Sequence, residues 1–254
     1  MPNLIATSNL RKSFGGLVAV NGVNFQVPEG QVAGVIGPNG SGKTTLFNLL
    51  SGYFRPSAGS VEFLGQDVTD QPPHARVDMG MARTFQLVSV FNSLSVWENL
   101  VLSSFQRRHK GPSLATFFFK PAREASILED CRQALETVRL QDKAASLTSE
   151  LSYGDKRMLE IAIALSLQPK LLLLDEPLAG LSDHEIGEVL QLLHEVKNNF
   201  TLVIIEHKIS KITDLVERLS VMNEGSLICE GEPGAVLGDP NVRECYWGRD
   251  TNAC

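Results

Sequence analysis

Along the first third of the chain, apolar and polar residues alternate over short stretches, and this pattern predicts strands. Leu4–Leu10, Val23–Val27, Gln31–Ile36 and Ser60–Leu64 are such stretches, parted by Gly-Gly, Pro-Glu-Gly and Ala-Gly turn signals. Gln31–Ile36 runs straight into a glycine-rich turn, after which Thr44–Leu50 has helical spacing. Leu, Ile, Ala and Val at helical intervals then predict helices over Val96–Gln106 and Arg123–Leu140. Gly-Pro-Ser and Phe-Phe-Phe-Lys-Pro mark a loop between them, around residues 111–121. A further helix, Ser152–Leu167, is stopped by Pro169.

The last third alternates strand and helix: Lys170–Leu174, Asp183–Lys197, Thr201–Ile205, Ile209–Leu215 and Arg218–Asn223. Such alternation predicts an α/β core with a parallel sheet. The wholly apolar runs Leu-Leu-Leu-Leu and Leu-Val-Ile-Ile belong at its centre, covered on both faces.

Composition narrows the class. The chain has 254 residues, 43% of them hydrophobic and 20% charged, enough to build a core without disulfide or metal staples. Lys plus Arg number 23 against 29 Asp plus Glu, a net charge of −6 that argues against a nucleic-acid partner. The four cysteines, at 131, 229, 245 and 254, form no C-x-x-C pair, which fits a reduced, cytosolic chain better than a zinc site or a disulfide framework. The most apolar stretch, Leu159–Leu174, is interrupted by Glu160, Gln168, Pro169 and Lys170, short of the roughly 18 apolar residues a membrane span needs. The first residues do not have the pattern of a signal peptide. Any work at a membrane is therefore expected from the aqueous side, through partners.

Two motifs carry chemistry. Gly37-Pro38-Asn39-Gly40-Ser41-Gly42-Lys43-Thr44 fits G-x-x-x-x-G-K-[ST] at every fixed position, between a predicted strand and a predicted helix. Glycines let backbone N–H groups converge on phosphate oxygens, and the helix that follows points its positive end at them. Lys43 is expected to reach the β- and γ-phosphates of a nucleoside triphosphate, and the Thr44 hydroxyl to ligate Mg²⁺, with Thr45 completing the binding set. The second motif is Leu171-Leu172-Leu173-Leu174-Asp175-Glu176, two acids where a buried strand leaves the sheet. Asp175 is expected to hold Mg²⁺ through water, and Glu176 to orient or deprotonate the attacking water. A solvated helix cap is the plainer alternative for this acid pair.

Leu151-Ser152-Tyr153-Gly154-Asp155-Lys156-Arg157 lies between these motifs. Taken in order with Phe14, Gln86 and His207, it resembles the ATP-binding cassette (ABC) ATPases over nearly the whole chain. The resemblance implies a P-loop NTPase core with a parallel sheet, an N-terminal antiparallel β subdomain and a helical subdomain. Residues 1–86 and 160–254 would form the nucleotide-binding core with its β subdomain, and 87–159 the helical, signature-bearing part. It also implies that Phe14 stacks on adenine, Gln86 contacts Mg²⁺ and the attacking water, and His207 contacts the γ-phosphate near Glu176. Ser152 and Gly154 would act on the ATP of a second, facing cassette. The plainer and less favoured readings of the residues are a core aromatic for Phe14, a surface residue for Gln86, a structural or exposed histidine for His207 and a helix cap for Ser152. The sequence departs from the common family pattern at Tyr153, Asp155, Ser182 and Lys208.

A narrower resemblance comes from F-G-G-L-x-A-V-N-x-V, A-R-T-F-Q, L-S-Y-G, L-E-I-A, I-E-H and D-P-N-V-R-E-C-Y-W-G. These look like the branched-chain amino acid importer ATPases, of the longer type. The implied partners are integral-membrane permeases, a second cassette of the same or another kind and, indirectly, a periplasmic substrate-binding protein. The implied location is the cytoplasmic face of a bacterial inner membrane. Urea or amide import, lipid export and a soluble non-transport ATPase stand as alternatives. The apolar stretch 86–97 is either core or a groove for a permease helix.

Overall fold

The computed structural model of the chain describes residues 2–85, 88–108 and 125–247. Gln86 and the loop expected at 111–121 lie outside the described residues.

Two sheets organise the fold. The N-terminal one is antiparallel: β1 (Asn3–Phe14), β2 (Leu17–Val23), β5 (Ala58–Phe63) and β6 (Gln66–Asp67) lie in the order β2-β1-β5-β6, and β3 (Gln26–Pro28) also pairs with β1. Among the described residues the other sheet has six strands, in the order β11-β10-β4-β9-β8-β7. They are β4 (Val32–Ile36), β7 (Met81–Arg83), β8 (Leu171–Asp175), β9 (Thr201–Ile205), β10 (Arg218–Asn223) and β11 (Ser226–Gly231). All its pairings are parallel except that of β11 with β10.

The apolar strands at its centre sort their side chains by parity. Ile36, Leu172, Leu174, Leu202 and Ile204 face one buried layer, while Val35, Leu171, Leu173, Val203 and Ile205 face the other. The second layer holds α1 (Lys43–Leu50) and the apolar side chains of the antiparallel sheet. The first holds α5 (Tyr153–Ser166) and α6 (Asp183–Val196), and extends through α3 (Val96–Arg108) and α4 (Ala125–Thr137). With both faces covered, a strand has no polar side to show, which is why these strands read as continuous apolar runs.

Several elements differ from the sequence expectation. The strand expected at Val23–Val27 is split: β2 ends at Val23, Asn24 and Phe25 belong to neither strand, and β3 begins at Gln26 and pairs further along β1. The first strand continues past Leu10 to Phe14, kinked at Asn9 (φ +47°). The helix expected at Ile209–Leu215 is one turn, α7 (Ile209–Ile212), with no side-chain cap at Lys208. Three short helices, α2 (Pro73–Asp78), α8 (Pro233–Gly238) and α9 (Pro240–Trp247), were not expected. Nor were β2, β6, β7 and β11. Among the described residues no helix is long and apolar enough to cross a membrane.

Candidate active site

β4, β7, β8 and β9 run parallel, so their carboxyl ends open on the same side, where ligands of such sheets sit. β4 leads into the glycine-rich loop, β8 into Glu176, and β9 into Glu206 and His207. The loop depends on its glycines. Gly37 (φ +155°) has no room for a Cβ against the Met222 carbonyl oxygen and Ser41 Oγ, and Gly42 (φ +102°) none against the Ala19 carbonyl oxygen. Lys43 is buried and folds back on its own loop. Its Nζ donates to the carbonyls of Gly37 (2.8 Å) and Pro38 (3.0 Å) and to Ser41 Oγ (3.4 Å). Burial lowers the ammonium pKa, and the nearby Glu176 and Asp175 oppose that shift.

A cleft of roughly 610 Å³ opens here, lined by Phe14, Asn39, Gly40, Gly42, Lys43, Thr44, Thr45, Glu176 and His207 among others. Phe14 is 43% exposed and thus no core aromatic. It meets Phe54 edge-on at 5.3 Å, and the Lys12 Nζ lies 5.2 Å from its ring centre. Glu176 has φ +50°, a strained conformation for a residue with a side chain, held by its N–H donating to the Ile205 carbonyl at 3.0 Å. Its Oε1 lies 2.9 Å from His207 Nε2.

Asp175 is 1% exposed, and its Oδ2 accepts from Arg83 Nη2 at 2.8 Å. Burial raises its pKa, opposed first by the hydrogen bond and charge of Arg83. Its Oδ1 has no hydrogen-bond partner among the described residues. A buried carboxylate oxygen left over in this way suits a hard cation, and the exposed Thr44 hydroxyl lies in the adjoining cleft. No group of three or more His, Cys, Asp or Glu side chains among the described residues makes a metal cage. A cation bound here would therefore take its remaining ligands from phosphate and water, as Mg²⁺ does.

Residues 20–179 match the family described as ABC transporter. The chain belongs to the ABC transporter ATPases. This cassette is 37% identical over 251 residues to the high-affinity branched-chain amino acid transport ATP-binding protein BraF of Pseudomonas aeruginosa, a match spanning 96% of this chain and 98% of that one. It is 36% identical over 250 residues to the high-affinity branched-chain amino acid transport ATP-binding protein LivG of Escherichia coli, with the same two coverages of 96% and 98%. Among solved structures, the ADP conformation of an ATP-binding cassette of an ABC transporter matches with a TM-score of 0.86 and 33% identity, over 98% of this chain and 100% of that one.

The signature segment of the cassette lies apart from the cleft. Ser152 caps α5, its Oγ accepting from the Asp155 N–H at 3.0 Å. The Gly154 N–H donates to Glu185 Oε1 at 3.1 Å. Both residues line a second cavity of about 190 Å³, which does not reach the phosphate loop. Ser182 caps α6 in a reciprocal capping box with Glu185. Asp183 is exposed and lies 3.4 Å from Lys211 Nζ. Just before Gln86, the Phe85 N–H donates to Glu160 Oε1, and its carbonyl accepts from Arg157 Nη1, both at 3.0 Å. Arg157 and Glu160 form a buried ion pair at 2.7 Å, so α5 grips the chain just before Gln86.

Within the stretch 88–97, Phe91 is 59% exposed, whereas Val90 and Trp97 pack partly against the core. The stretch is therefore divided between core and surface. The exposed Phe85 ring meets the exposed Tyr53 ring edge-on at 5.9 Å. Sequence reasoning missed Arg83, Arg157, Glu160 and Glu185. The available signal was a charged residue set among apolar neighbours, as in Met81-Ala82-Arg83-Thr84-Phe85.

Proposed function

We propose that this chain is the ATP-hydrolysing subunit of an importer, energising uptake of branched-chain or other neutral amino acids through membrane permeases from the cytoplasmic face. Phe14 stacks on adenine. The amides from Gly37 to Gly42, together with the start of α1, hold the phosphates, and Lys43 exchanges its contacts with the loop carbonyls for phosphate oxygens. Thr44, Asp175 and Gln86 would hold Mg²⁺, Asp175 with the oxygen that Arg83 leaves over. Once bound, Mg²⁺ neutralises the charge on the phosphates. Glu176 takes the proton of the attacking water, and His207 orients its carboxylate. Ser152 and Gly154 serve the ATP of a second cassette, either a copy of this chain or a related one. Residues 87–159 work as the helical subdomain against a core of 1–86 and 160–254. Exposed Phe91, Phe85 and Tyr53 receive the permease, and a periplasmic substrate-binding protein acts at one remove.

The observation that carries this reading is the 2.9 Å contact of His207 with Glu176 inside the cleft that the phosphate loop lines. The similarity to BraF and LivG supports the choice of cargo. Glu176→Gln is the test. Hydrolysis should fall by about 10²–10⁴-fold, while ATP still binds and an ATP-bound dimer accumulates in gel filtration. Lost nucleotide affinity with no such dimer would move Glu176 from the base to the metal site.

A further inference from the structure

Glu206 follows directly on β9 and is 2% exposed, an unusual place for a carboxylate. Its Oε1 accepts from the Leu178 N–H at 2.7 Å. Its Oε2 accepts from the N–H groups of His207 at 3.1 Å and Lys208 at 3.4 Å. Burial pushes this carboxyl up, and the three amides counter it by favouring the charged form. Leu178 lies two residues after Glu176, in the loop that leaves β8, while His207 and Lys208 begin the loop that leaves β9. One buried carboxylate thus ties together the backbones of the two loops whose side chains, Glu176 and His207, meet at 2.9 Å in the cleft.

We propose that Glu206 is a positioning residue that sets the separation of Glu176 and His207 by holding both of their loops through backbone amides. The inference rests on the roles given above to Glu176 and His207. Those two loops spring from neighbouring strands, and past the bond from the Glu176 N–H to the Ile205 carbonyl the sheet ladder no longer fixes their spacing. Glutamate suits the task because it offers acceptors at both oxygens, one for each loop. Glutamine offers one acceptor and turns an amino group towards the other amides, so it can hold only one loop.

The test is Glu206→Gln in the full chain. The expected result is a fall in kcat of about 10²-fold with ATP affinity unchanged, the signature of misplaced catalytic groups rather than lost binding. Combined with His207→Ala, it should cost nothing further, because both changes remove the same alignment. An unaltered kcat, or a loss that adds in full to that of His207→Ala, overturns the proposal. Should Glu206→Gln fail to fold, Glu206→Asp keeps the charge but is one methylene short of spanning both loops, and the same kinetics are expected of it. Failure of both variants to fold assigns Glu206 to the fold alone and also overturns the proposal. Glu176→Gln separates the two readings. If that variant still turns over at the wild-type rate, the roles of Glu176 and His207 fall; if it is inactive while Glu206→Gln is normal, only the role of Glu206 falls.

Discussion

Arg83 stands where three elements meet. Its Nη1 donates to Asn48 Oδ1 at 2.7 Å and Ser51 Oγ at 2.9 Å, in and just after α1, while Nη2 holds Asp175 at the end of β8. Its Cζ lies 5.2 Å from the Phe85 ring centre and 5.7 Å from that of Phe47. Arg83→Leu would leave the Asp175 carboxylate buried without its ion-pair partner, an error that typically costs about 3–5 kcal/mol. Denaturant unfolding should register that loss, and the double change with Asp175→Asn should recover part of it. None of this is local in sequence. Arg83 and Asp175 lie 92 positions apart, and no periodicity links them. The glycines of the phosphate loop, by contrast, are legible because each answers a demand of its own backbone: the conformation and the crowding at Gly37 and Gly42 exclude any side chain.

At the scale of elements, legibility follows length and burial. The five-residue β8 and β9 and the fourteen-residue α5 and α6 were all visible as apolar runs or helical spacing. β7 has three residues and β6 two, too few to show any period. The departure at Ser182 also becomes intelligible at this scale. Its hydroxyl accepts from the Glu185 N–H while Glu185 Oε2 accepts from Ser182, so the residue starts α6. Ser182→Ala should cost about 0.5–2 kcal/mol in thermal or chemical unfolding. It should also loosen Glu185, whose carboxylate holds the Gly154 amide. That amide belongs to the segment proposed to receive the phosphate of a facing cassette, so Glu185 has to give way when the two cassettes close.

For the whole molecule, the exposed aromatics near Gln86 separate docking from folding. Phe91→Asp places charge on a residue that is 59% exposed, so the fold and the ATPase activity in solution should survive. Uptake of labelled leucine by cells relying on this variant should be lost, together with recovery of the chain in the membrane fraction. Normal uptake would remove Phe91 from the permease contact. Charge at Val90 makes a poorer probe, because that side chain packs against the core and the variant would report on folding.

The place of β7 in its sheet has a mechanical consequence. Among the described residues it pairs only with β8, through Met81–Leu171, Ala82–Leu172 and Arg83–Leu173, and so forms the sheet's margin. A margin strand can peel away by unzipping one short ladder, whereas moving β4, β8 or β9 would tear ladders on both sides. Shifting the chain that leads to Gln86 therefore breaks one ladder rather than two, together with the bonds of Arg83 and the α5 contacts of Phe85. Amide hydrogen exchange should reveal this as local opening at Ala82 and Arg83, orders of magnitude faster than at Leu172 or Leu202, whose protons should wait for global unfolding. Binding of a permease segment should slow exchange at that margin while leaving the centre of the sheet unchanged.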